Sequence, residues 1–264
     1  MAGATTSQVS GVFPQTFQPA VEFVIRWFPL VIVAVLWELS SGWFVAESIL
    51  PGPIAVFTQW GHMLADGGLL VHLGISLYRV SIGITLSISV GVLLGVSMAR
   101  STSVENFFDV FLALLYPVPK TALVPLSLLW LGRGTGTAIL IIFLACLLPV
   151  ILNSYNAARS VDQSLIWSAQ MMGTSNRRIL WKIIIPDTIP QIVTGIRQAI
   201  PIAFIALTGA ELIGASDGVG YLILDYGSLG IYPQMFGALL TISLTAFFAL
   251  RGFDYIERKV FVWT

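Results

Sequence analysis

Residues 136–157 read GTAILIIFLACLLPVILNSYNA, and the centre of that stretch, Ile139 to Leu148, is apolar throughout and carries no charge. A helix rises about 1.5 Å per residue and a bilayer core is about 30 Å thick, so a run of this length and composition fits one membrane crossing. Five more stretches of the same kind lie at about 24–44, 74–98, 107–130, 190–214 and 234–253. In hydrocarbon each segment must satisfy its own backbone hydrogen bonds, and runs this long suit helices rather than the alternating strands of about 10 residues that build an outer-membrane barrel. The expected fold class is therefore all-α: a polytopic membrane protein of about six transmembrane helices.

Composition agrees. Of 264 residues, 56% are hydrophobic and only 10% charged, whereas a soluble domain carries about 25% charged residues. Basic and acidic residues balance at 13 each, so no net charge argues for a nucleic-acid partner; the expected surroundings are membrane lipid. The single cysteine, Cys146, sits inside the apolar run and reads as a small buried side chain. Residues 1–22 are read as a loosely ordered tail: the first twenty contain no Lys or Arg and are interrupted by Pro14 and Pro19, unlike a secretion signal. The remainder, 23–264, is read as one membrane domain.

Orientation follows from the basic residues. Arg26, Arg100, Arg159, Arg177, Arg178, Lys182, Arg251, Arg258 and Lys259 fall on one set of connections, and Arg133 with Glu47, Asp66, Asp217 and Asp225 on the other. Basic connections stay in the cytoplasm, which places both termini there and agrees with an even number of spans. Within the second span Gly83, Ser87, Gly91 and Gly95 recur every fourth position and line one helix face, where another backbone can approach closely.

No catalytic constellation is visible. His62 and His72 lack the spacing of a helical zinc pair, there is no G-x-S-x-G, and no G-x-x-x-x-G-K-[ST] phosphate loop occurs. The expected role is not enzymatic, and any ATP used must be bound by another chain. Two charges in or beside apolar segments are candidate pathway residues, Lys120 among Pro117, Pro119 and Pro125, and Glu211 after Gly209 and Ala210. Ionised groups are costly in lipid, so each must face protein or water, either fixing helix packing through an internal pair or lining a path for a passing anion.

The connection over 158–189 is neither apolar enough to span nor rich enough in Gly and Pro to be a plain linker. It reads as two short helices: Ser164 to Met172, then a left-handed Gly173, then a helix capped by Thr174, Ser175 or Asn176 that stops before Pro186. On the second, Ile179, Leu180, Ile183 and Ile184 share one face, with Arg178 and Lys182 on another.

Ser168-Ala169-Gln170-Met171-Met172-Gly173, nine further residues, and Ile183-Ile184-Ile185-Pro186 resemble the E-A-A-x-x-G-x9-I-x-L-P loop of binding-protein-dependent ABC importer permeases. Ser168, Gln170 and Ile185 stand where that pattern has Glu, Ala and Leu. Leu50-Pro51-Gly52-Pro53, Ser76-Leu77-Tyr78-Arg79-Val80, Pro119 to Leu126, Leu129-Trp130-Leu131-Gly132, Ala210-Glu211 and Gly218 to Ile223 look like the branch serving alkanesulfonates, taurine, nitrate and bicarbonate. The resemblance implies a type I importer permease in a bacterial-type cytoplasmic (inner) membrane, carrying a small solute such as a sulfonate, nitrate, bicarbonate or organic acid. It implies a second permease chain, by default a homodimer, two ATPase subunits that hold ATP and Mg, and an extracytoplasmic solute-binding protein. It assigns Ser168, Ala169, Gln170, Gly173, Arg177, Arg178 and Pro186 to the ATPase-coupling loop. The competing reading is a secondary transporter or channel without an ATPase, for which matched interrupted repeats are expected.

The topology is checked by single cysteines. In a Cys146→Ala background, Ser216→Cys and Ser175→Cys are expected to react with an impermeant thiol reagent from opposite sides of the membrane; reaction from one side overturns the assignment.

Overall fold

The computed structural model describes residues 18–260. Most of the expected tail therefore lies outside the described residues, and helix α1, Gln18–Ser40, already begins within its last part. The chain continues through α2 (Pro53–Ala65), α3 (Gly68–Arg100), α4 (Thr102–Leu115), a 3-10 turn (Lys120–Leu123) running into α5 (Val124–Leu131), and α6 (Thr135–Ser160). Then come α7 (Gln163–Met171), α8 (Asn176–Gly214), α9 (Val219–Ser228) and α10 (Tyr232–Val260). Among the described residues the fold is all helical apart from an isolated bridge between Ser41 and Val45.

The described residues fall into two compact units, one ending at Gln59 and one beginning at Trp60. In the first, Trp37 Nε1 donates to the Pro51 carbonyl at 3.1 Å and Ser41 Oγ to the Leu50 carbonyl at 2.7 Å, folding the connection back on α1. The second unit is built on α3, α6 and α8, whose facing sides bury Val80, Ile141, Ile142, Cys146, Ala203 and Leu207.

The small residues of α3 form its seam with α6. A β-carbon on Gly91 would come within 2.8 Å of Val150, and one on Gly95 within 2.6 Å of the Ile151 carbonyl oxygen. Ser87 Oγ donates to the carbonyls of Gly83 and Phe143 at 2.8 and 2.9 Å. With little hydrophobic drive between helices in lipid, such close backbone packing is what holds spans together.

Four helices, Gly68–Arg100, Thr135–Ser160, Asn176–Gly214 and Tyr232–Val260, are long and apolar enough to cross a membrane. Two expectations are corrected. The stretch 107–130 is not one straight span but a pair, Thr102–Leu115 and Lys120–Leu131, bent by 89°. Pro117 and Pro119 sit at the break, where each lacks an N–H and obstructs a preceding carbonyl. Likewise, the second short helix of the 158–189 connection does not stop before Pro186: it continues into the next span as α8, 39 residues in all. The join is a π turn over Leu180–Ile184, in which the Ile185 N–H bonds to Leu180. That wider turn, immediately before a residue without an N–H, carries the helix past the proline. The expected span 24–44 falls on α1, whose described apolar part, Val31–Ser40, is short.

Gly95→Val should lower the unfolding midpoint in detergent, since overpacking against rigid backbone costs about 1–3 kcal/mol. Gly74→Ala on the same helix, where a β-carbon meets nothing within 4 Å, should leave it unchanged or raise it slightly.

Candidate functional site

Far from the 158–189 loop, at the other end of α8, lies a buried charge cluster. Arg79 of α3 and Glu211 of α8 are both 0% exposed and meet at 2.8 Å. Ser76, one turn before Arg79, donates its hydroxyl toward both Glu211 oxygens at 2.9 Å, and the Gly220 N–H reaches Glu211 Oε2 at 2.8 Å. Arg79 also donates to the Asp217 carbonyl at 2.9 Å, to the Asp217 carboxylate, and to Thr135 Oγ1 at 3.2 and 3.3 Å. Ser76 Oγ in turn accepts the Val219 N–H, and His72 Nδ1 accepts the Gly218 N–H, both at 2.9 Å. Every guanidinium nitrogen and both Glu211 oxygens are thereby engaged, the condition for keeping charge in a low-dielectric interior.

Glycines make this geometry possible. Gly218 has φ +100°, and a β-carbon there would run into the Glu211 carboxylate; one on Gly220 would lie 2.6 Å from Glu211 Cβ. The run Gly218-Val219-Gly220 is thus a backbone cradle laid against a carboxylate.

Lys120 and Glu211 are not brought together. Lys120 sits at the α4–α5 break, where its ammonium donates to the Val118 carbonyl at 2.7 Å and to the Leu115 carbonyl, capping the end of α4. It lines an open cleft of about 490 Å³ with Tyr116, Leu148, Pro149, Asn153, Gln198 and others. Glu211 has its partner in Arg79. Sequence reasoning missed Arg79, although the rule that singled out Lys120 and Glu211, a charge inside an apolar stretch, applies to it equally.

In the 158–189 loop, α7 starts at Asp162, whose carboxylate accepts the Ser164 N–H at 2.8 Å. That bond holds the Asp162 carboxyl below its usual range. At the other end the Thr174 N–H bonds to the Ala169 carbonyl and the Gly173 N–H to the Gln170 carbonyl, with Gly173 at φ +76°. This is a Schellman closure, which needs a left-handed residue at that position. Ile166, Ala169, Ile179 and Ile184 with Ala158 and Val161 form a small core beneath α7, flanked by Leu180 and Ile183. Ala169 is only 4% exposed, so it faces this core and not outward; its small side chain lets α7 sit close to the helices below. Ser168, Gln170, Arg177, Arg178 and Pro186 are exposed. So are Leu165 and Trp167, while Met171 and Met172 reach 88% and 78% exposure.

A bundle of apolar helices long enough to cross a membrane, with one sharply bent pair and an internal charge cluster, defines a polytopic helical membrane protein. Residues 87–262 match the family described as binding-protein-dependent transport system inner membrane component. The chain is 32% identical over 236 residues to the Bacillus subtilis (strain 168) protein named as an aliphatic sulfonates transport permease, SsuC, covering 89% of this chain and 85% of that one. It is 30% identical over 240 residues to the taurine transport system permease protein TauC of Escherichia coli K12, covering 88% and 86%. Its fold resembles that of the MetNI methionine ABC transporter in inward-facing conformations, with a TM-score of 0.63 and 18% identity over 73% of this chain and 96% of that one. The chain belongs to the binding-protein-dependent ABC importer permeases, as a multi-pass inner-membrane subunit of the type I fold.

Arg79→Gln should lower the folded yield and unfolding midpoint sharply, because an orphaned buried carboxylate costs about 3–5 kcal/mol. Lys120→Gln should leave both near wild type. Size-exclusion profiles and thermal unfolding in detergent check the contrast; equal losses would show that the cluster does not carry the fold.

Proposed function

We propose that two copies of this chain form the translocation pathway of an importer for a small anion, driven by separate ATPase subunits and supplied by an extracytoplasmic solute-binding protein. The observation that carries this reading is α7: a short helix standing on its own small core, capped at both ends, with Leu165, Trp167, Met171 and Met172 turned outward. Surface methionines and aromatics of this kind suit insertion into a cleft of another protein. Ser168, Gln170, Arg177 and Arg178 supply the polar rim of that contact, and Ala169, Gly173 and Pro186 fix its shape.

Such a helix transmits force only if it does not bend. Closure of the ATPase pair, where ATP and Mg are held, would push α7 and hence the start of α8, which is continuous with the span behind it. Rocking of two such bundles between inward and outward states then gives alternating access. A homodimer is the simplest assembly for one permease chain.

The relatives named for aliphatic sulfonates and taurine support a sulfonate or another small anion as cargo. Lys120, beside its cleft, is the pathway charge in this scheme; Glu211, held by Arg79, keeps the α8–α9 turn in place.

Gly173→Leu tests the coupling. A β-carbon at φ +76° meets no neighbour within 4 Å, so the change adds only backbone strain of about 1–2 kcal/mol and bulk at the docking surface. The spans are expected to fold, while co-elution of the ATPase and substrate-stimulated ATP hydrolysis fall; wild-type values for both would remove the loop from the mechanism.

A further inference from the structure

The cleft beside Lys120 is lined by two carboxamide side chains. Asn153 of α6 and Gln198 of α8 lie within apolar spans, and Asn153 Nδ2 donates to Gln198 Oε1 at 3.2 Å and to the Pro149 carbonyl at 2.8 Å. The pairing is built in: Gly195, one turn before Gln198, has no side chain, and a β-carbon there would lie 2.7 Å from Asn153 Cβ. Gln198 is nevertheless exposed on this chain and Asn153 half-buried. Within a membrane-spanning helix an exposed carboxamide pair must face water or protein.

Its surroundings select the occupant. Tyr116, Lys120, Asn153 and Gln198 line the same cleft, whose remaining walls are Ala145, Leu148, Pro149, Leu152 and Ile202. Lys120 provides a fixed positive charge, Tyr116 a hydroxyl, and the Gln198 amide its N–H donors, since its oxygen is turned to Asn153. Donors and one cation against aliphatic walls suit a small monoanion with several acceptor oxygens and a short apolar tail. An adjoining cleft of about 330 Å³ shares Tyr116, Leu148 and Leu152 and carries Glu105 and Asp109. Glu105 is paired with Arg159, so the attraction for an anion is centred at the Lys120–Gln198 end and fades toward Asp109.

We propose that Tyr116, Lys120, Asn153 and Gln198 form a transient contact for the oxyanion group of the transported solute, with Lys120 giving charge selectivity and the Asn153–Gln198 pair orienting the amide donors. This rests on the reading of the chain as an importer permease for small anions and names the residues that would meet the cargo.

The test needs neither the ATPase nor the binding protein, so it can fail independently of that reading. In inverted membrane vesicles containing the full chain with Cys146→Ala and Gln198→Cys, the labelling rates of a sulfonate-bearing and a trimethylammonium-bearing methanethiosulfonate are compared. The anionic reagent is expected to react faster, and Lys120→Gln should lower the anion-to-cation ratio by about fivefold or more, the scale of removing one charge from a partly hydrated cleft. Asn153→Cys provides a second probe if Gln198→Cys does not fold. A cysteine that reacts with neither reagent places the pair against lipid or a second copy and overturns the proposal. So does a ratio that Lys120→Gln leaves unchanged.

Discussion

The ion pair between Arg79 and Glu211 fixes one end of the helical core. Neither side chain reaches solvent, and two charges taken from water are tolerated only when geometry and hydrogen bonds satisfy them together. That requirement draws in four pieces of chain: Ser76 and Arg79 from α3, Thr135 at the start of α6, the end of α8, and the glycine cradle at the start of α9. None of these contacts is local in sequence except those within the α8–α9 turn. The close approach of backbone N–H groups to a carboxylate also explains why Gly218 and Gly220 cannot carry side chains.

The opposite end of α8 obeys a different constraint. There the helix passes a proline and packs against α7. The π turn over Leu180–Ile184 satisfies the backbone on the way into Pro186, and Ile179 and Ile184 drop into the small core under α7. One helix therefore joins the 158–189 loop to the buried charge cluster. A displacement at α7 acts on an element whose far end is anchored by Arg79, which suits a rigid-body response better than a local one.

Much of the fold was legible because hydrophobic length is a direct signal in a membrane protein. The expected stretches 74–98, 136–157 and 234–253 fall within Gly68–Arg100, Thr135–Ser160 and Tyr232–Val260. Gly173 takes the left-handed conformation its place after a helix predicts. The small-residue repeat from Gly83 to Gly95 marks a true seam, because only small side chains let two backbones approach within contact. The bend after Leu115 and the fusion at Pro186 were misread for one reason: proline marks a disturbance in the helix, and the surrounding structure decides whether the chain turns or continues.

The sequence by itself determined that this chain is a helical membrane protein, where most of its spans lie and that the 158–189 connection carries a short helix closed by a left-handed glycine, since apolar length and glycine position are properties of the chain alone. Tertiary structure alone decided which charges meet. Glu211 could have paired with Lys120 or with Arg79, and residue spacing holds no information on that choice. Packing of α3 against α6 and α8 brings Arg79 to Glu211, while the break after α4 turns Lys120 back on its own carbonyls at the mouth of a cleft. Coulomb and desolvation energies depend on distances through space, and those exist only once the helices are packed.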